Sequence, residues 1–153
     1  MPGTVKRILR FKSEDVIEWT CNISLPNFIL HINPACLPKT TYQVYVVELS
    51  KRVFTENAKF RAANPQFNGV LQCLYVGMTS KTPKERFLQH KTGYINQKGH
   101  NISAAIVRKY GSYLRPSLYE HLNMKPMTRD EALVMEEKLA WQLRKQGYAV
   151  WFN

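Results

Sequence analysis

Two tyrosines, an arginine and histidine four residues apart, and one acid on an apolar helix face are the side chains here whose type and setting suit chemistry. The acid is Glu136, within Glu131-Ala132-Leu133-Val134-Met135-Glu136. Advancing about 100° per residue puts Ala132, Leu133, Leu139, Ala140 and Leu143 within roughly 60° of it, whereas Glu137 falls about 100° away and reads as an ordinary solvated acid. A carboxylate at the centre of an apolar stripe must meet a cation, a donor network or a metal, or stay protonated at a cost of several kcal/mol. Arg86 and His90 share one face of a second helix. Tyr75 lies on a strand one tight turn before that helix, and Tyr45 on another strand. The arrangement sets a phenol beside a cationic helix face.

The elements that must hold these groups are readable around them. Leu74-Tyr75-Val76 is apolar enough for a buried strand, and Gly77 removes a side chain where another backbone or a ligand must come close. Thr82, Pro83 and Glu85 form a capping box with proline at the first turn, so a helix starts at about Pro83 and ends at Gly93. Tyr42 to Leu49 reads as a central strand, with Tyr45, Val47 and Leu49 on one face and Val44 and Val46 on the other. Thr128 and Glu131 make a second capping box, Asp130 and Glu131 sit at the positive end of the helix dipole, and Gly147 ends that helix. Asn101 is expected to cap a helix over Ile102 to Tyr110, with Ile102, Ala105 and Ile106 buried and Gly111 as its C-cap. A third strand is expected within Tyr113 to Leu122, interrupted by Pro116, which points to an edge position or a bulge. Tyr148 to Phe152 is a short closing strand.

In order along the chain, these residues resemble the GIY-YIG nuclease family. Gln43-Val44-Tyr45 matches the first half of the name, with Gln43 where the family has glycine, and Tyr75-Val76-Gly77 matches the second, with valine for isoleucine. Arg86 and His90 match the family's arginine and the histidine or tyrosine a helical turn later, and Glu136 matches its metal-binding glutamate. The resemblance spans residues 42 to 145. It implies an α/β (α+β) fold, a small, mainly antiparallel central sheet flanked by helices, and a metal-dependent endonuclease that hydrolyses DNA. By the same resemblance Glu136 would hold Mg²⁺ or Mn²⁺, Tyr45 and Tyr75 would frame the attacking water with one as a general base, Arg86 would bind phosphate and lower the tyrosine pKa, and His90 would orient water or substrate.

Composition agrees with a polyanionic partner. Lysine and arginine number 22 against 11 aspartate and glutamate, a formal charge of +11, which favours nucleic acid first and an anionic membrane surface second. Cys21, Cys36 and Cys73 are odd in number and far apart, suiting neither a disulfide framework nor a zinc site and pointing to a reducing, cytoplasmic setting. No signal peptide and no run of about 18 apolar residues for a membrane span is visible. The length of 153 residues suits one domain.

Residues 1 to 40 read as an extension packed on the core, and 41 to 153 as the nuclease-like domain. Within it, residues 50 to 70 form an insertion carrying Arg52, Lys59 and Arg61 among Phe54, Phe60 and Phe67, with a short helix expected over Thr55 to Ala63. Basic and aromatic side chains together suit a nucleic-acid clamp; the other reading is an excursion whose phenylalanines tuck onto the core. Lys81, Lys84 and His100 are near enough in sequence to add phosphate contacts. A single active site would nick one strand, and cutting both would need a homodimer or two binding events. The rival readings are a non-catalytic nucleic-acid-binding module of the same fold and an RNA-directed nuclease.

Overall fold

The computed structural model of the protein describes residues 40–97, 99 and 104–152. The N-terminal extension, His100 and Asn101 therefore lie outside the described residues. Those described form a mixed sheet of four strands flanked by helices, the α/β architecture expected from the sequence. In chain order the elements are β1 (Gln43–Leu49), α1 (Arg52–Glu56), α2 (Ala58–Ala62), β2 (Cys73–Thr79), α3 (Pro83–Thr92), α4 (Ala105–Tyr110), β3 (Gly111–Leu114), α5 (Arg129–Lys145) and β4 (Ala149–Trp151). The strand order is β3-β1-β2-β4. β1 runs antiparallel to β2 and β3, and β4 runs parallel to β2. β1 and β2 are the central pair because both their faces are apolar: Val44, Tyr45, Val46, Val47, Leu74, Tyr75 and Val76 are all buried.

A short β3 leaves half of β1 without a neighbour strand, and unpaired backbone groups there would be costly. Single residues fill the gap. The Tyr42 N–H donates to the Met127 carbonyl at 2.8 Å, and the Arg115 N–H donates to the Val46 carbonyl at 2.9 Å. Between them the Asn123 side chain takes the place of a peptide unit: its Oδ1 accepts from the Val44 N–H at 2.9 Å, and its Nδ2 donates to the Val44 carbonyl at 2.8 Å.

The opposite edge is covered by the segment between β1 and β2. The buried Asn64 accepts from the Val150 N–H at 2.7 Å and donates to the Phe60 carbonyl at 2.8 Å. Gln66 donates to the Tyr148 carbonyl at 3.3 Å, and Arg144 donates to the Val150 carbonyl at 2.8 Å. At its neck, Lys51 reaches the Gly69 and Val70 carbonyls at 2.7 and 3.2 Å. Phe60 is fully buried and stacks on Trp151, while Phe54 and Phe67 pack half-buried against each other. These phenylalanines fill the core, so they are not an exposed stacking platform for bases.

Several local expectations need correction. The helix expected over 55 to 63 is two short helices, broken at Asn57, whose extended backbone lets its side chain accept from the Phe60 N–H and cap α2. Among the described residues α4 begins only at Ala105, and its buried residues are Val107 and Tyr110 rather than Ala105 and Ile106. Gly111 has φ −62° and opens β3 instead of forming a left-handed C-cap. Of the two settings expected for the third strand, β3 takes the edge, but it stops at Leu114, and Pro116 does not interrupt it: it starts a pair of single 3-10 turns. On α5 the buried residues include Ala132, Glu136, Leu139, Ala140 and Leu143, but Leu133 is 40% exposed. Among the described residues no helix is long and apolar enough to cross a membrane.

Candidate active site

Register brings the tyrosines together. Tyr45 is the cross-strand partner of Gly77, and Tyr75 that of Val47, so the two tyrosines are diagonal neighbours on one face of the sheet. Gly77 makes room for the first of them. A β-carbon there would lie 2.7 Å from Tyr45 Oη and 2.9 Å from Tyr75 Cε1. The Tyr45 ring thus rests over the β2 backbone where no other residue would admit it.

α3 supplies the remaining groups. Its capping box is formed as the sequence predicts: the Thr82 hydroxyl accepts from the Glu85 N–H at 3.2 Å, and a Glu85 carboxylate oxygen accepts from the Thr82 N–H at 3.0 Å. That fixes the start of the helix and, a turn and two turns on, the positions of Arg86 and His90. His90 Nε2 is 2.7 Å from Tyr45 Oη. The His90 ring centroid is 6.1 Å from that of Tyr45 and 5.8 Å from that of Tyr75, and the two tyrosine rings are 6.1 Å apart. The charge of Arg86 acts on the Tyr45 hydroxyl, and Arg86 bonds Gln89 Oε1 at 3.2 Å. Four of the five expected catalytic residues, Tyr45, Tyr75, Arg86 and His90, therefore form one cluster.

Glu136 is the fifth. It is 4% exposed on α5, the helix that packs across β1, β2 and β4, and it is not without a partner. Its carboxyl oxygens are the donor type that a hard divalent cation takes. Among the described residues there is no group of three or more His, Cys, Asp and Glu side chains placed to hold a metal. An ion on Glu136 would complete its shell with water and substrate oxygens, the mode that Mg²⁺ favours.

The electrostatics revise one expectation. Tyr45 is 1% exposed, and burial pushes its hydroxyl well above the usual tyrosine range, with Tyr75 adding to the rise and Arg86 opposing it. The cation beside it is real, but desolvation outweighs it. Tyr45 keeps its proton at neutral pH. Burial, and secondarily Arg86, hold His90 down to about 4, so its ring is neutral at pH 7.

This gives a pH dependence of stability with a definite sign. The unfolded chain binds a proton on His90 near pH 6.5 and the folded protein only near 4, so stability is complete above pH 6.5 and is lost as pH falls through that window. A shift of this size is worth on the order of 3 kcal/mol. Urea unfolding at pH 7 and pH 4.5 checks it: the wild type is expected to lose stability more steeply than His90→Gln, and equal slopes would refute the assignment.

The expected substrate-binding residues separate. Lys81, Lys84 and Lys59 are exposed. Arg52 is occupied by Glu56 at 2.8 Å, and Arg61 caps the end of α1 through the Phe54 and Thr55 carbonyls at 2.9 and 3.0 Å. Lys109 and Tyr110 also bond Glu56, whose carboxyl is held down at about 2 by Lys109 first and then Arg52. Much of the charge in the β1–β2 segment is thus spent within the protein. The sequence reading missed Ala104, whose N–H donates to His90 Nδ1 at 2.8 Å; a backbone donor carries no signature in residue type. Compared with protein-family models, curated proteins and solved structures, the chain matches none.

Proposed function

We propose that the protein is a metal-dependent endonuclease of the GIY-YIG type that hydrolyses DNA phosphodiester bonds. The observation carrying this reading is the convergence of Tyr45, Tyr75, His90 and Arg86 on one sheet face, over a glycine that admits nothing larger. Buried phenols beside a guanidinium form a water-poor site with donors aimed one way, which suits stabilising charge on a phosphate. Arg86 binds the scissile phosphate, its fork of donors matching two non-bridging oxygens. Tyr45 and Tyr75 frame the attacking water and the phosphoryl oxygens. Glu136 holds Mg²⁺ or Mn²⁺, which when bound supplies charge neutralisation at the phosphate and leaving oxygen. Lys59, Lys81 and Lys84, exposed and cationic, add to the attraction for a polyanion, and the net charge of +11 acts in the same direction. Cutting both strands takes a second protomer or a second binding event. A reducing, cytoplasmic setting belongs to the same reading.

The test is cleavage of supercoiled plasmid by wild type and Glu136→Ala with Mg²⁺, Mn²⁺ or chelator, with DNA binding followed in parallel. The wild type is expected to nick only with metal. Glu136→Ala is expected to bind with unchanged salt dependence and to cut at least about 1,000-fold more slowly, the scale of losing a principal source of charge stabilisation. Binding without cutting on plasmid, single-stranded, branched and RNA substrates alike would overturn the nuclease reading in favour of a binding module.

A further inference from the structure

The hydrogen bonds around His90 have a direction, and it runs toward the tyrosines. A backbone N–H can only donate, so the Ala104 N–H at 2.8 Å makes His90 Nδ1 an acceptor with no proton of its own. In a neutral imidazole the proton then sits on Nε2, and at 2.7 Å Nε2–H donates to Tyr45 Oη. Arg86 is close enough for its charge to act on the same hydroxyl. With His90 donating to Tyr45 Oη, the O–H of Tyr45 is left to point onward. Tyr75, whose ring centroid is 6.1 Å away, is the neighbouring phenol on the same sheet face.

We propose that His90 is a positioning residue locked by the Ala104 amide as a donor to Tyr45, and that the tyrosine pair consequently works on the phosphate as a hydrogen-bond donor, not as a base. The inference rests on the nuclease reading for its substrate, but the polarity of the chain belongs to the protein alone. The sequence Ala104 N–H, His90 Nε2–H, Tyr45 O–H transmits donation from a fixed backbone group to a buried phenol. Such a phenol stabilises a non-bridging phosphoryl oxygen as charge gathers there, and it costs no reorganisation at the moment of reaction. A tyrosine base relayed through this histidine would need an imidazole nitrogen able to take the proton. His90 offers none, because its acceptor nitrogen is already bonded to the main chain.

Long-range ¹H–¹⁵N spectra of ligand-free protein decide the polarity, with His90→Gln identifying the His90 signals among the four histidines. The expected pattern is the Nε2–H tautomer, unchanged from pH 8 to pH 5.5. An Nδ1–H tautomer, or an imidazolium appearing in that range, would overturn the proposal. Kinetics give a second readout. Gln can offer both an acceptor and a donor, so His90→Gln is expected to keep kcat within about tenfold, whereas His90→Phe loses about 100-fold or more. Equal losses in both variants would mean that His90 takes a proton, and the proposal would fall. A wild type that cuts nothing would instead sink the nuclease reading, and the spectra would still decide the polarity.

Discussion

With the proposed nuclease activity, Gly77→Ala is expected to leave a folded but weakened protein that cuts DNA at least about 100-fold more slowly than wild type, since misplacing a catalytic group by about an ångström costs that much. The reason is steric, as Gly77 has no left-handed backbone to protect. A methyl group would sit 2.7 Å from Tyr45 Oη, 2.8 Å from Tyr45 Cζ and 2.9 Å from Tyr75 Cε1. Neither ring can swing away freely: Tyr45 is 1% and Tyr75 2% exposed, and His90 lies across both. Relief must come from the rings moving off the β2 backbone, which breaks the 2.7 Å contact from His90 to Tyr45. Overpacking of this kind costs about 1–3 kcal/mol. Thermal unfolding and plasmid nicking measured on one preparation separate the two effects. Cleavage within about threefold of wild type would show that the position of the Tyr45 hydroxyl does not matter to the reaction.

The largest effect on stability is expected at Asn64, which takes no part in the tyrosine cluster. Its side chain is fully buried and satisfies one donor and one acceptor of the main chain, Val150 N–H and the Phe60 carbonyl. Leucine fills nearly the same volume and bonds neither. Each orphaned buried group costs about 1–3 kcal/mol, so Asn64→Leu should lose about 2–5 kcal/mol and lower Tm by about 10–20 °C. Gln66→Ala, which removes a longer, exposed bond to the neighbouring Tyr148 carbonyl, should change Tm by less than about 2 °C. Scanning calorimetry of both variants tests the contrast, and similar melting temperatures would mean that the edge of β4 does not depend on Asn64.

The parts of this molecule that the sequence revealed are those determined by neighbours along the chain. Both capping boxes, at Thr82–Glu85 and Thr128–Glu131, are local hydrogen-bond circuits and formed as read. β1, β2, the need for Gly77 and the buried position of Glu136 followed from alternation, glycine and helical phase. What escaped depends on partners remote in sequence. Asn123 and Asn64 look like loop residues, and only the folded sheet shows that each substitutes for a missing strand. Leu133 falls within the helical arc of Glu136 but outside the width of the packed face, which phase alone does not give. The net shift at Tyr45 is hidden for a related reason: Arg86, which lowers it as expected, is visible in the sequence, whereas the depth of burial that outweighs it is not.

The segment that β1 and β2 leave between them bears on any attempt to shorten this chain. Aligned only by its strands, residues 50 to 70 look like an ornament to be replaced with a tight hairpin. Yet Phe60 stacks on Trp151 and Asn64 holds the amide of Val150, so excision would uncover an apolar flank, the Val150 N–H and the Tyr148 carbonyl. Strands bared in this way recruit one another across molecules. A minimised chain should accordingly emerge as an insoluble or self-associating product, its tyrosine, arginine and histidine cluster intact in sequence and lost to aggregation.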